Sequence, residues 1–461
     1  MNRIFSALLL CSVASCSILA NASEISESDI QAAKTILKNS IAIPTVEGRG
    51  RVPELAEYYA DVLKESGFSD ADIVITPMGE TATLEVTLRG REPSQPPILL
   101  SGHMDVVEAD PADWERDPFT AIEEGGYIFG RGSYDNKFGV AIMVTTLSRL
   151  KREGYRPRQD MVMVLSGDEE TSMASTKVLA EKYRGAALMV NSDGGGGKLA
   201  ADGSAQYYML QAAEKTYADF EIEFTNPGGH SSRPSKPNAI TQLAQALVKL
   251  GEYDFPPQLS ELTRVSLLGM AGQVDPEMGA AMRRLADNPE DAEALAILRA
   301  SPEFIGQIGT TCVATMVHAG HAQNALPQRA TANINCRVFP GVTMDEVKAE
   351  LASVIGDPEA KLTVLAEPSM SPPSPLREDV MDAVEEAVHA VHPDLPIIPG
   401  MAAYATDASH FRAAGTDSYG TAGLFIKPSD DFTHGLNERV PVSSIPGALQ
   451  HWDVLLRRLG E

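Results

Sequence analysis

Five short polar segments hold residues whose types could do chemistry together. The first is Ile98-Leu-Leu-Ser-Gly-His103-Met-Asp105, an apolar run ending in an imidazole with a carboxylate two residues on. An acid so placed can hold one ring nitrogen while the other binds a cation. Gly130-Arg-Gly-Ser-Tyr-Asp135-Asn136-Lys137 is a glycine-punctuated turn before a helical pattern, so Asp135 lies where backbone geometry is unusual. Apolar run 161–166 leads into Gly167-Asp168-Glu169-Glu170, and run 188–191 leads into Ser192-Asp193-Gly194. His434 comes late, in Thr-His-Gly-Leu-Asn437-Glu438. Singly, each has an ordinary explanation: a structural histidine, a solvated helix start, a turn. Jointly they supply the nitrogen and oxygen donors that zinc prefers.

The elements that must position these groups follow from the apolar pattern. Residues 27–41 and 52–66 read as helices, and 73–76 with 83–88 as a strand pair. Short apolar runs at 98–101, 161–166 and 188–191 alternate with helical segments at 137–152 and 173–183. That alternation predicts an α/β domain with a doubly wound, mostly parallel sheet, and functional groups past the C-terminal ends of its strands. After Gln211 the pattern changes. A half-exposed strand at 217–225, a helix at 238–250 and an antiparallel pair at 310–319 and 330–338 predict an inserted α+β domain. Within it, 254–305 read as a helical, acidic elaboration without recognisable chemistry. The expected division is a signal peptide over 1–22, a catalytic domain over 23–212 and 368–461, and a lid or dimerisation domain over 213–367, with 367–375 as the return linker.

A chain of 461 residues is long enough for two cores. Its net charge of -25 opposes binding to nucleic acid or to an anionic membrane. The N-terminus, Met-Asn-Arg followed by an apolar run, has the form of a signal peptide and is too short to span a bilayer. Export to the periplasm or medium is therefore expected. Two processing sites compete: Ala20-Asn21-Ala22 fits cleavage before Ser23, and Val13-Ala14-Ser15-Cys16 resembles a lipobox that would anchor the protein to a membrane through Cys16. Cys312 and Cys336 lie in strand-like segments flanking a turn near Asn324, so a disulfide and a pair of buried thiols are both open.

Taken in order, the five segments resemble the M20 metallopeptidase family, which includes carboxypeptidases, dipeptidases, aminoacylases and desuccinylases. The resemblance runs from about residue 30 to the C-terminus. It implies two zinc ions, with cobalt or manganese as compatible alternatives. It makes Asp135 the bridging carboxylate, with His103 and Asp193 on one ion and Glu170 and His434 on the other. Asp105 becomes the orienter of His103, and Glu169 the general base. In Pro227-Gly-Gly-His230-Ser-Ser, His230 matches a family histidine that stabilises the oxyanion, often in a partner subunit, which implies a homodimer; the helical elaboration could instead let one chain close its own site. Asn324 and Arg337 match substrate-contacting positions, Arg337 being the candidate for a substrate carboxylate. His410 matches a segment near that carboxylate, whereas His318, His321, His389, His392 and His451 match no ligand position. Tyr404-Ala405 and Asn136 depart from the family's common small glycines and second Asp. Asp193 leans toward the dipeptidase and Gly-X carboxypeptidase branches. The resemblance thus implies an exopeptidase acting on dipeptides or short peptides with a free C-terminal carboxylate, or alternatively an N-acyl amino acid hydrolase. A non-catalytic binding protein on the same fold would have lost a ligand or the base, and neither is missing.

Overall fold

The structure is a computed structural model that describes residues 24–365 and 368–461. The expected signal peptide, both processing sites and Cys16 lie outside the described residues.

Every residue of the strands Ile98–His103, Met161–Ser166 and Leu188–Asn191 is buried, which is why they read as continuous apolar runs. They pair in parallel, with Ile98–His103 central, and Ser418–Gly420 extends the parallel set beside Leu188–Asn191. Leu99, Val162 and Met189 face Leu179, Ala180 and Phe411 of the helices Ala174–Lys182 and Ala408–Ala413. On the other face Leu100, Met163 and Val190 pack with helices Glu27–Ile41, Lys137–Arg152 and Ser444–Leu459. Each such side chain contributes about 1.5–3 kcal/mol when taken fully out of water. The expected doubly wound α/β layer is therefore present, with the three strand ends Ser166, His103 and Asn191 side by side.

Among the described residues this sheet has ten strands. Its antiparallel edge is the hairpin Ile73–Met78 and Thr81–Leu88. On the opposite flank Ala205–Glu214 joins the sheet, carrying Gly196–Leu199 and Ile397–Ala402 beside it. Sequence patterning missed these last strands for physical reasons. Ala205–Glu214 buries polar groups that satisfy one another, Gln211 donating to Glu214 and the Tyr208 hydroxyl to the Ala422 carbonyl. Ile397–Ala402 contains Pro399 and Gly400, which interrupt a strand signal.

A second, four-stranded antiparallel sheet runs in the order Thr311–Ala319, Arg329–Val338, Thr216–Thr225, Lys361–Val364. Helices Ala239–Gly251 and Met344–Ile355 cover one of its faces through Leu243, Val347 and Leu351. Cys312 and Cys336 stand opposite each other in this sheet and form a disulfide. The helices Glu261–Met270, Pro276–Asp287 and Ala292–Arg299 do not extend that core. Their Leu267, Met270, Leu285 and Leu298 pack with Tyr207 and Ile398 of the ten-stranded sheet.

Candidate metal centre

His103 ends its strand with the ring buried, and its Nε2 stands 2.9 Å from Asp135 Oδ1 and 3.8 Å from Asp193 Oδ1. The second oxygen of Asp135 faces the other way, 3.2 Å from His434 Nε2, which is 3.0 Å from Glu170 Oε1. Two donor sets result, His103 with Asp135 and Asp193, and His434 with Asp135 and Glu170, each with its atoms within 4.8 Å of one another. A third grouping, His103 with Glu169 and Glu170, overlaps both. Unlike the other carboxylates, Glu169 has a side chain that takes no hydrogen bond from any described residue, and it lines the cavity beside the cluster.

The loops that present these groups are tied to each other. The Asp105 main-chain oxygen, not its carboxylate, sits 3.0 Å from His103 Nδ1; the carboxylate oxygen on that side is 3.5 Å away. The carboxylate instead accepts the N–H groups of Glu169 and Glu170, at 3.1 and 3.0 Å, and so fixes the turn after Ser166. Asp168 is occupied as well, accepting from the N–H groups of Ala174 and Ser175 at the start of their helix. Asn136 accepts from Ser192 at 2.8 Å and turns its amide toward Asp193 at 3.4 Å, a donor that an Asp could not supply. Gly102 makes room for this meeting, since a Cβ there would fall 2.7 Å from Asn136 Oδ1. The turn geometry expected at Asp135 is also unusual: the Asp135–Asn136 peptide is cis.

Sequence reading assigned no role to Glu438. It is fully buried and accepts from the N–H groups of Gly132, Tyr134 and Asp135 and from Arg131 at 2.6 Å. Arg131 also donates to the carbonyls of His434 and Gly435, both at 3.2 Å. His434 has a left-handed backbone, φ 59°, which non-glycine residues seldom adopt without such support. One buried ion pair therefore holds the Asp135 turn and the His434 loop together.

The electrostatics of the cluster call for cations. Burial and neighbouring Asp135 push the Asp193 carboxyl up to about 8. Burial also raises the Glu169 carboxyl well above the usual range, against the pull of His103. For Asp135 burial acts in the same direction, but hydrogen bonds from His103 and His434 win and hold it well below. Hydrogen bonds to Asp135 and Glu170 lift His434 to about 10. Two of the four carboxyls are thus pushed toward their protonated form, a cost that divalent ions in the cluster would remove, and the nitrogen and oxygen donors suit zinc, cobalt or manganese.

The cluster opens into a cavity of about 770 Å³. Arg337, contributed by the four-stranded sheet, lines it together with Tyr404 and Ala405. Arg337 is half-buried, lies over the Tyr217 ring at 4.7 Å, and has no acidic ion-pair partner among the described residues. Nearby Lys215 is buried and drawn down to about 7, first by burial and then by Arg337, while Asp219 is the acidic group whose charge acts on Arg337. His230 and Asn324 are not in this cavity. They sit together on an exposed two-stranded ribbon, with His230 paired to Ala325 and the Ser231 N–H bonded to the Asn324 carbonyl at 3.0 Å. His410 is largely buried on its helix outside the cavity lining, and His451 is a core residue bonded to Thr421 at 3.0 Å.

Residues 99–458 match the profile of Peptidase family M20/M25/M40. The chain belongs to this family. Among similar proteins, the mouse N-fatty-acyl-amino acid synthase/hydrolase PM20D1 is 29% identical over 440 residues, covering 92% of this chain and 86% of that one. Probable carboxypeptidase S-like 2 of Dictyostelium discoideum is 27% identical over 375 residues, 77% of this chain and 70% of that one. In fold, this M20 hydrolase resembles the metallo-carboxypeptidase Sso-CP2 of Sulfolobus solfataricus, with a TM-score of 0.70 at 19% identity, covering 93% of this chain and 99% of that one.

Proposed function

We propose that this M20 hydrolase cleaves the amide bond of N-acyl amino acids with an apolar acyl group, using two divalent metal ions, zinc in the first instance. The observation that carries the reading is the single cavity in which the acid and imidazole cluster meets Arg337 and a wall of Phe138, Tyr207, Met209, Leu424 and Ile426. Arg337 is suited to pair with the amino acid carboxylate through a two-pronged guanidinium contact. The apolar wall suits the acyl group, and the likeness to PM20D1 supports the same choice. Short peptides with a free C-terminal carboxylate are the second reading, supported by the carboxypeptidase S-like relative.

In this proposal His103, Asp135 and Asp193 hold one ion and Asp135, Glu170 and His434 the other. The ions would supply positive charge that polarises the scissile carbonyl and acidifies water. Glu169, whose carboxylate accepts no hydrogen bond from any described residue, takes the proton from the attacking water and returns it to the leaving nitrogen. Asp105 and the Arg131–Glu438 pair keep the donors in place.

His230 would stabilise the oxyanion of a second chain, because it lies outside its own cavity. A homodimer is further supported by the edge strand Thr311–Ala319, which exposes Val313, Met316 and Val317 beside exposed Ile240 and Val248. Sedimentation of a pure monomer at working concentration would dismiss the dimer. Export through the 1–22 segment belongs to the same reading, and N-terminal sequencing of the mature protein tests it.

The deciding experiment is hydrolysis of a panel of N-acyl amino acids and dipeptides by metal-loaded and chelated protein. Metal-dependent cleavage with the highest kcat/KM on apolar acyl groups is expected. Preference for dipeptides would select the second reading, and no cleavage of any amide would refute both.

A further inference from the structure

Beyond Asp193 the chain runs into the strand Gly196–Leu199, whose register sets Gly196 opposite Met209 and Lys198 opposite both Tyr207 and Ile426. Side chains alternate between the faces of a sheet. Met209, Tyr207, Lys198 and Ile426 therefore share the face that lines the cavity, while Tyr208 and Phe425, with rings 5.9 Å apart, point into the core behind it. The helices of 261–299 pack on that same cavity face, since Tyr207 shares a cluster with Leu267, Met270 and Phe304.

Next to Phe304, Glu303 also lines the cavity and accepts a hydrogen bond from Lys198 at 2.7 Å. Three residues on, Gly306 comes so near Ala403 that a Cβ would fall 2.9 Å from the Ala403 side chain, and Tyr404, the following residue, lines the cavity again. The turn 303–307 is thus anchored at two points across the wall. From Asp193 outward, the wall offers apolar surface as far as Lys198 and then meets an ion pair. A methylene pressed against that pair would strip water from charged groups instead of gaining apolar contact.

We propose that the turn 303–307 is the end stop of the acyl pocket and that the Lys198–Glu303 pair sets the length of acyl group the enzyme accepts. The proposal rests on the N-acyl amino acid reading above and adds a length limit to it. The residues are specificity-determining, since Lys198 and Glu303 meet the far end of the substrate and no reacting atom.

The test is kcat/KM across a series of N-acyl amino acids from butanoyl to octadecanoyl, for the wild type, Glu303→Ala and Gly306→Val. Each methylene newly admitted to apolar surface is worth roughly fourfold. Glu303→Ala should therefore raise the ratio of long-chain to short-chain kcat/KM by about tenfold or more, and Gly306→Val, which pushes the turn off Ala403, should move it the same way. Hydrolysis with chain-length profiles parallel to the wild type overturns the proposal and leaves the N-acyl reading intact. Calorimetric binding of the same series to metal-loaded Glu169→Gln protein, with and without Glu303→Ala, reads the limit without turnover. A length limit in binding that Glu303→Ala relaxes, together with no wild-type hydrolysis of the series, would overturn the N-acyl hydrolysis reading while upholding the end stop. No binding at any length overturns both.

Discussion

The acid and imidazole cluster and the ribbon carrying His230 are built in opposite ways. In the cluster, buried neighbours fix the chain that carries the site: His103 by the Asp105 carbonyl, the main chain of Glu169 and Glu170 by the Asp105 carboxylate, the Asp135 and His434 loops by Arg131 and Glu438, and Asp193 by Asn136. The ribbon has two residues per strand, and both His230 and Asn324 are exposed. A group needed at a metal is held in place in advance, whereas a group offered outward is completed by whatever covers it. On the dimer reading proposed above, chemistry starts within one chain and its transition state is completed by another.

The sharpest way to break this picture is within the cluster. Glu169→Gln should lower kcat by roughly 10²–10⁴-fold while metal content, read by elemental analysis, stays at the wild-type level. Loss of metal in the variant would make Glu169 a ligand, as the overlapping grouping of His103, Glu169 and Glu170 allows, and would remove the base from the mechanism.

The next effect tests the ribbon. His230→Ala should lower kcat by roughly 10²–10³-fold, the cost of losing one oxyanion donor. Mixing it with Glu169→Gln, each inactive alone, should restore about a quarter of wild-type turnover under random exchange, because half the dimers then contain one intact site. No recovery after verified exchange would mean that His230 serves its own chain.

The two regions also differ in how far the sequence revealed them. His103, Glu169, Glu170 and Asp193 were legible because a buried parallel strand is written as a short apolar run, and the polar residues just beyond it fall at the sheet's C-terminal edge, whereas Asp135 was legible from its glycine-punctuated turn before a helix. What those residues lean on was not legible. Glu438 is separated from Arg131 and Asp135 by more than 300 residues, and no local pattern pairs them. Asp105 was expected to hold His103 with its carboxylate, which stands 3.5 Å from Nδ1, and the folded turn shows what the sequence did not, that this carboxylate also accepts the Glu169 and Glu170 N–H groups. The helices between 261 and 299 were read as an acidic elaboration within the inserted domain, and no local pattern showed that they would pack on Tyr207 and Ile398 of the ten-stranded sheet. Strand Ala205–Glu214 was hidden by polar residues that find their partners only in the sheet.

Glu438 gives the third prediction. Glu438→Gln replaces one acceptor oxygen with a donor facing N–H groups, which should loosen the Asp135 turn and weaken metal binding by roughly 10–100-fold. Competition with a chelator measures this, and kcat should return at saturating metal. A kcat that stays low at full metal occupancy would assign Glu438 a part beyond placing the donors.

The smallest expected effect concerns Arg337, the point where the four-stranded sheet enters the cluster's cavity. Arg337→Lys keeps the charge but loses the two-pronged contact and the stacking on Tyr217, and a charged hydrogen bond of this kind is worth about 1.5–3 kcal/mol. KM for a carboxylate substrate should therefore rise by roughly tenfold or more, with kcat nearly unchanged, since the contact is made equally before and during bond cleavage. The same substrate carrying a carboxamide in place of its carboxylate separates substrate recognition from structural damage. On that compound wild type and Arg337→Lys should perform alike. An equal loss on both compounds would show that Arg337 supports the wall of the cavity instead of reading the substrate, and the four-stranded sheet would then contribute shape to the site but no recognition.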